Sequence, residues 1–65
     1  MSKQIVYATV AGKKFNEENN RWTFSLRYGK LESGPFEIVG IPPPSMQCWL
    51  DGQRLWPTAS NVHLA

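Results

Sequence analysis

The chain has 65 residues, of which seven are Lys or Arg and five are Asp or Glu, so its net charge is +2. A chain of this length (1–65) makes one small domain, which buries only about 60% of its unfolded surface. The small charge excludes the dense basic surface of a dedicated phosphate binder, and no apolar run approaches the roughly 20 residues of a membrane helix.

The sequence contains one cysteine, Cys48, and one histidine, His63. A single cysteine cannot form an internal disulfide, and the two residues fall short of the four ligands of a closed zinc site. We expect Cys48 to be a small buried side chain. Small domains often add a disulfide, a metal or a second subunit, so a partner or a homo-oligomer becomes the expected support.

The first residues, 1–4, lead directly into an alternating segment and lack the apolar stretch of a secretory signal. Together with the single cysteine, this predicts a cytoplasmic location. No glycine-rich phosphate motif is present, and the spacing of the Ser, His and acidic residues sets up no nucleophile. We therefore expect no catalysis, cofactor, metal or small-molecule substrate.

Residues 3–11 are rich in β-branched side chains and predict the first strand. Both faces of this segment are largely apolar, which indicates either a strand covered on both sides or a strand in a barrel wall. Gly12 indicates a bulge or bend, after which the strand can continue to Phe15. The polar run 16–20, with three asparagines, predicts a hairpin loop.

Strict alternation over eight residues, from Arg21 to Tyr28, predicts a half-buried β-strand. Its aromatic side consists of Trp22, Phe24, Leu26 and Tyr28. Its polar side consists of Arg21, Thr23, Ser25 and Arg27. We expect the aromatic side to enter the core and the other side to display a basic, hydroxyl-rich surface.

A turn is predicted over residues 29–34, followed by a third strand over residues 35–41. Pro35 suits the start of a strand, where its missing N–H costs least. The three prolines at 42–44 cannot extend an ordinary strand ladder, and they favour a stiff polyproline II spacer.

Residues 45–56 predict a β-hairpin in which Asp51-Gly52 forms a two-residue type I′ turn. The alternative is a helix that begins at Ser45 and stops near Gly52. A helix through this glycine loses about 1 kcal/mol, which favours the hairpin. Residues 58–65 are expected to form a short helical turn or a loose tail.

The predicted hairpin, with Trp49 opposite Arg54, separates its side chains onto two faces. One face carries Cys48, Leu50, Gln53 and Leu55, and the other carries Gln47, Trp49, Arg54 and Trp56. If the first face is core, two tryptophans and an arginine point outward, where they can form a cation–π contact. The domain's size favours the reverse arrangement, because a small core needs bulky aromatic side chains.

Alternating segments bounded by closely spaced turns indicate an all-β domain. We expect four or five short antiparallel strands in a small curved sheet or an SH3-like or OB-like barrel. The favoured function is a non-enzymatic protein-binding domain, such as an adaptor, an inhibitor or a self-assembling subunit. Its candidate contact residues are Pro43, Gln47, Trp49, Arg54 and Trp56.

Two other functions remain open. The first is nucleic-acid binding through the basic side of the strand at 21–28, since small barrels can combine a basic face with aromatic stacking. Its candidate residues are Lys13, Lys14, Arg21, Arg27 and Lys30. The second is a structural subunit of a larger symmetric complex, built through unpaired sheet edges and apolar surface.

Overall fold

Six antiparallel strands form a single sheet in the computed structural model, which describes residues 3–65. The strands are β1 (Gln4–Asn16), β2 (Arg21–Tyr28), β3 (Leu31–Ile38), β4 (Ser45–Asp51), β5 (Arg54–Pro57) and β6 (Val62–Leu64). Their order across the sheet is β5-β4-β1-β2-β3-β6. The sheet curls until β5 approaches β3, which gives a nearly closed, barrel-like domain. The all-β class is confirmed, with six strands instead of four or five.

The concave face of the sheet forms the core. The rings of Phe24 and Phe36, which lie opposite each other on β2 and β3, have centroids 6.0 Å apart and are fully buried. The other core side chains are Val6, Ala8, Val10, Leu26, Ile38, Met46, Cys48, Leu55 and Val62. Trp22 is half-buried and Tyr28 is exposed. The aromatic side of β2 therefore enters the core, as predicted, but only over its middle residues.

The first strand is buried on one side only. Val6, Ala8 and Val10 point into the core, whereas Ile5 and Tyr7 on the opposite side are exposed. Of the two alternatives that the sequence left open, the barrel wall is therefore the one observed in this chain.

The bend expected at Gly12 is present. This residue has φ 65°, and it lies within the register shift between β1 and β2, which falls between Ala11 and Lys14. The strand then continues to Asn16, and residues 17–20 form the loop of the hairpin. Asn20 takes φ 57°, the left-handed conformation that asparagine tolerates better than most residues.

The bounds predicted for the third strand are wrong at both ends. The loop before it contains only Gly29 and Lys30, because Tyr28 already pairs with Leu31. Gly29 takes φ 59°, which permits this two-residue reversal. At the other end, β3 stops at Ile38, three residues earlier than expected.

A bulge inside β3 explains why its first half did not look like a strand. Gly34 and Pro35 together lie opposite the single residue Ser25, between two regular pairs of β2 and β3. A β-carbon added at Gly34 would lie 3.2 Å from Cα of Ser25, so a side chain there would crowd the backbone of β2. The bulge adds one residue to β3, and as a result the side chain of Phe36 points into the core.

The three prolines lie in the loop 39–44, outside the strands, as their missing N–H groups require. Pro42 is fully buried. The carbonyl of Pro44 accepts a hydrogen bond from the backbone N–H of Val10 at 3.0 Å. The proline segment is therefore packed against the domain and leads directly into β4.

The hairpin predicted over residues 45–56 is formed by β4 and β5, and the helical alternative is wrong. The predicted loop position is also wrong, since Asp51 pairs with Arg54 and the loop is Gly52-Gln53. Only Gly52 has a positive φ (63°), which is the pattern of a type II′ turn, not of type I′. Each residue of β4 therefore pairs two positions further along β5 than predicted. Because side-chain direction repeats every two residues, every side chain stays on its predicted face.

The expectation of a helical turn or loose tail over residues 58–65 is wrong. Val62–Leu64 pair with β3 as the edge strand β6, and the backbone N–H of Ala65 donates to the carbonyl of Pro35 at 3.1 Å. Val62 is buried in the core. A strand of three residues with one buried side chain offers too little alternation for recognition from sequence.

The barrel closes at a seam between β3 and β5. The backbone N–H of Leu55 donates to Oγ of Ser33 at 3.0 Å. The indole of Trp56 meets the ring of Phe36 edge-on, with 5.7 Å between the centroids. Side chains contribute to both contacts, so the seam differs from the backbone ladders that join the other neighbouring strands.

The close approach at Gly34 predicts a large effect of Gly34→Ala. Backbone strain and crowding against Ser25 should together cost about 2–6 kcal/mol. Gly12→Ala is the matched control, because Gly12 also has a positive φ but a β-carbon there meets no atom within 4 Å. It should cost only about 1–2 kcal/mol. Urea unfolding followed by circular dichroism measures both, and equal losses would contradict the bulge geometry.

Candidate functional site

The outer surface of β1, β4 and β5 brings together residues that are far apart in the sequence. Ile5 lies opposite Trp49, and Trp49 lies opposite Trp56, so the three form one row across the strands. The neighbouring row places Tyr7 opposite Gln47. We call these five residues the aromatic face.

The large side chains of the aromatic face remain open to solvent. Trp49 and Trp56 are 38% and 42% exposed, and Tyr7 is 70% exposed. Large apolar side chains gathered on one surface in this way mark a contact site more often than scattered ones do.

The expectation that the hairpin tryptophans fill the core is wrong. Cys48 and Leu55 occupy the interior instead, and both are fully buried. Phe24 and Phe36 already fill the centre with bulky aromatic rings. The space that remains on the facing side, along β4 and β5, therefore admits only smaller side chains. Because successive side chains of a strand point to opposite sides, the two tryptophans next to them lie on the outer surface.

A groove of about 370 Å³ opens beside the two indoles. It is lined by Lys3, Trp49, Asp51, Arg54 and Trp56. Trp56 therefore takes part in two features, since it contacts Phe36 at the seam and also forms part of the groove wall.

Three charged side chains, Lys3, Asp51 and Arg54, form the rim of this groove. The predicted pairing of Trp49 with Arg54 is wrong, since Asp51 lies opposite Arg54. Within residues 3–65, both ion pairs join β2 to β3, and the rim charges belong to neither. The rim therefore presents both signs of charge to a molecule that enters the groove.

A second groove, of about 270 Å³, follows the seam on the other side of β5. Arg54 and Trp56 line both grooves. Phe36 and Leu64 contribute apolar wall to the second, and Leu64 is 57% exposed. Apolar surface therefore continues around β5 from the aromatic face to β6.

Two of the predicted contact residues lie outside the lining of the first groove. Gln47 belongs to the aromatic face, and its backbone carbonyl accepts a hydrogen bond from the N–H of Thr58 at 3.1 Å. Pro43 is exposed in the loop before β4, six residues from Trp49. Six extended residues span roughly 20 Å, so the structure does not bring Pro43 to the groove.

Sequence reasoning assigned Asp51 to the turn alone, and it missed Lys3, Ile5 and Tyr7 as members of this site. The last three reach it because β1 pairs with β4, although about 40 residues separate the two strands. The one available signal was that both faces of residues 3–11 are largely apolar, so the face that does not enter the core was a candidate contact surface. Nothing local identified the hairpin as its neighbour.

The basic side predicted on β2 is partly neutralised by β3. Nη1 of Arg21 lies 3.0 Å from Oε1 of Glu37. Nη2 of Arg27 lies 3.7 Å from Oε2 of Glu32. Each of the two arginines therefore has a carboxylate beside it.

The three lysines predicted to extend this basic side are divided between its two ends. Lys13 and Lys14 follow the bend in β1, near the start of β2. Lys30 lies in the loop after the end of β2. The structure therefore separates these lysines and does not gather them into one patch.

The thiol of Cys48 is fully buried, as predicted. Burial raises the pKa of this thiol above its ordinary value, against the weaker opposing effect of a hydrogen bond with the backbone of Ala8. The thiolate is the reactive form of cysteine, so the raised pKa and the burial itself both shield Cys48 from reagents. The other chemically distinctive side chain, His63, is exposed on β6 opposite Glu37.

Comparisons of the chain with protein-family models, with curated proteins and with solved structures give no match. In the part of the chain that the structure describes, no helix is long and apolar enough to cross a membrane. Functional inference therefore rests on the geometry of the aromatic face.

The burial of Cys48 predicts slow reaction with a thiol reagent such as dithionitrobenzoate. Reaction in the native protein should be roughly 100-fold slower than in urea, because the thiol reacts only when the domain opens. Absorbance of the released thionitrobenzoate measures both rates. Comparable rates in the two conditions would show that the thiol is accessible in the folded chain.

Proposed function

We propose that this chain is a small non-enzymatic binding protein that acts through protein–protein contact at the aromatic face. The observation that carries the proposal is the exposed row Ile5–Trp49–Trp56 beside a charged groove. Protein interfaces combine an apolar, aromatic centre with a polar rim, and Trp and Arg dominate their binding energy. A reducing cytoplasm suits the single free cysteine.

The neighbouring edge of the sheet favours contact through side chains over the addition of a strand. In β5, the N–H of Leu55 is bonded to Ser33, and Pro57 has no N–H. The N–H of Thr58 donates to Gln47 of β4. Backbone N–H groups two residues apart in a strand point the same way, so the N–H of Trp56 also points toward β4. An added strand would find few donors on β5, and a partner gains more from the aromatic face itself.

The proposal predicts that Trp49→Ala weakens partner binding by roughly 30-fold or more, which corresponds to the 2 kcal/mol of a hot-spot residue. Tyr28→Ala is the matched control, because Tyr28 is also an aromatic residue that is 38% exposed but lies on β2. Partners cross-linked to the wild-type chain in extract of its native host are identified first. Their affinity for both variants is then measured by titration.

The decisive comparison is between the two variants. Loss of binding with Trp49→Ala and retention with Tyr28→Ala supports the aromatic face as the binding site. Equal affinity of both variants for every partner contradicts the proposal. Circular dichroism of each variant excludes unfolding as the cause of a loss.

A second candidate ligand is single-stranded nucleic acid at the same face, which the exposed rings of Tyr7 and Trp49 favour. Stacking of one base on an aromatic ring contributes about 1–3 kcal/mol. Lys3 and Arg54 could contact phosphates, although Asp51 between them opposes this. The basic side of β2 supports nucleic-acid binding less, because both of its arginines have carboxylate neighbours.

This second candidate predicts a measurable dependence on salt. Contact of two phosphates with Lys3 and Arg54 gives a slope of about −1.4 in a plot of log K against log salt concentration. Fluorescence anisotropy of labelled oligo-dT and oligo-U measures this slope. Absence of binding at low salt would reject nucleic acid at this face and leave the protein partner.

A further inference from the structure

The rim of the first groove has the charge pattern of a surface that can bind its own copy. Lys3 and Arg54 are cationic, Asp51 is anionic, and all three line the groove beside Trp49 and Trp56. Asp51 and Arg54 lie opposite each other at the end of β4 and β5 but form no ion pair within the described residues. All three rim charges are therefore available to an outside partner.

In a two-fold symmetric contact, the same surface of both subunits meets, and residue i of one copy contacts residue j of the other. A charged surface is complementary to its own copy only if it carries both signs, so that the cations of one copy meet the anion of the other. The rim meets this requirement. Along β2 and β3, the carboxylates already form ion pairs with the arginines at 3.0 and 3.7 Å, whereas Asp51 and Arg54 form none among the described residues.

We propose that the partner of the aromatic face is a second copy of this chain, packed face to face about a two-fold axis. The tryptophan rows of the two copies form the apolar centre, and Asp51 of each copy faces Lys3 and Arg54 of the other. This inference rests on the proposed function and names its partner. It makes the chain a self-assembling subunit.

The geometry of the sheet agrees with a face-to-face contact. The β5 edge has few free N–H groups, so pairing of two copies through that edge is disfavoured. A specific interface of ordinary size takes roughly 800 Å² from each partner. The total surface of 4574 Å² can supply this from the aromatic face together with the apolar surface that continues past Trp56 to Leu64.

Sedimentation equilibrium of the full chain, over roughly 1–100 µM, tests this proposal directly. The wild-type chain should form a dimer within this range. Asp51→Lys makes the rim entirely cationic, and the double variant Lys3→Glu/Arg54→Glu makes it entirely anionic. Each variant alone should dimerise at least about ten-fold more weakly, because like charges then face each other.

Mixing the two variants provides the decisive measurement. The cationic rim of one should pair with the anionic rim of the other, so the mixture should form a heterodimer at concentrations where each variant alone is a monomer. This recovery also shows that both variants are folded. Glu17→Lys, in the exposed loop at the other end of β1, is the matched charge reversal and should leave the wild-type dimer unchanged.

Two results would overturn the inference. One is a wild-type chain that stays monomeric over the whole range, and the other is a dimer that survives both charge variants. If the chain is monomeric while Trp49→Ala still abolishes binding of a different protein, the proposed function stands and only the identity of the partner is wrong. If Trp49→Ala also leaves every interaction intact, both proposals fail.

Discussion

The small space inside the barrel is the constraint on which the rest of the structure depends. Phe24 and Phe36 fill the centre, and the facing wall supplies mostly small side chains, such as Val6, Ala8 and Cys48. Neighbouring residues of a strand point to opposite sides. The residues that alternate with these small ones along the same strands must therefore face outward. The large side chains at the alternate positions, Ile5, Tyr7, Trp49 and Trp56, are therefore exposed.

Two bulges keep this centre in place while the strands curve. The missing side chain at Gly34 lets β3 approach β2 closely, and the extra residue returns Phe36 to the position opposite Phe24. Gly12 divides β1 into a first half that pairs with β4 and a second half that extends the hairpin with β2. The aromatic face lies on that first half, so the bend at Gly12 decides which part of β1 contributes to it.

Those features of the fold that depend on local sequence could be predicted. Alternation in β2 and in the hairpin identified which side chains share a face. The hairpin assignment stayed correct although the loop is Gly52-Gln53, because side-chain direction repeats every two residues and the pairing moved by two. Whether a face points inward depends on the volume that other strands leave free, which no local pattern reports. The pairing of Ile5 with Trp49 is a long-range contact, and β6 is too short to show a pattern. Half of the candidate site therefore became visible only in three dimensions.

Charge and apolar surface lie together at the first groove, and this combination matters more than the net charge of +2. Along β2 and β3, the arginines already have carboxylate neighbours. The Arg21–Glu37 pair is part-buried, whereas the Arg27–Glu32 pair is exposed, and an exposed pair contributes only about 0–1 kcal/mol. An incoming ligand would have to compete with those carboxylates. At the groove rim, Asp51 lies opposite Arg54 but forms no ion pair with it or with Lys3 among the described residues. All three border the tryptophans that can supply apolar contact. A partner that carries both an apolar centre and complementary charges would gain from both at once, which is why we propose the aromatic face, and not the basic side of β2, as the binding surface.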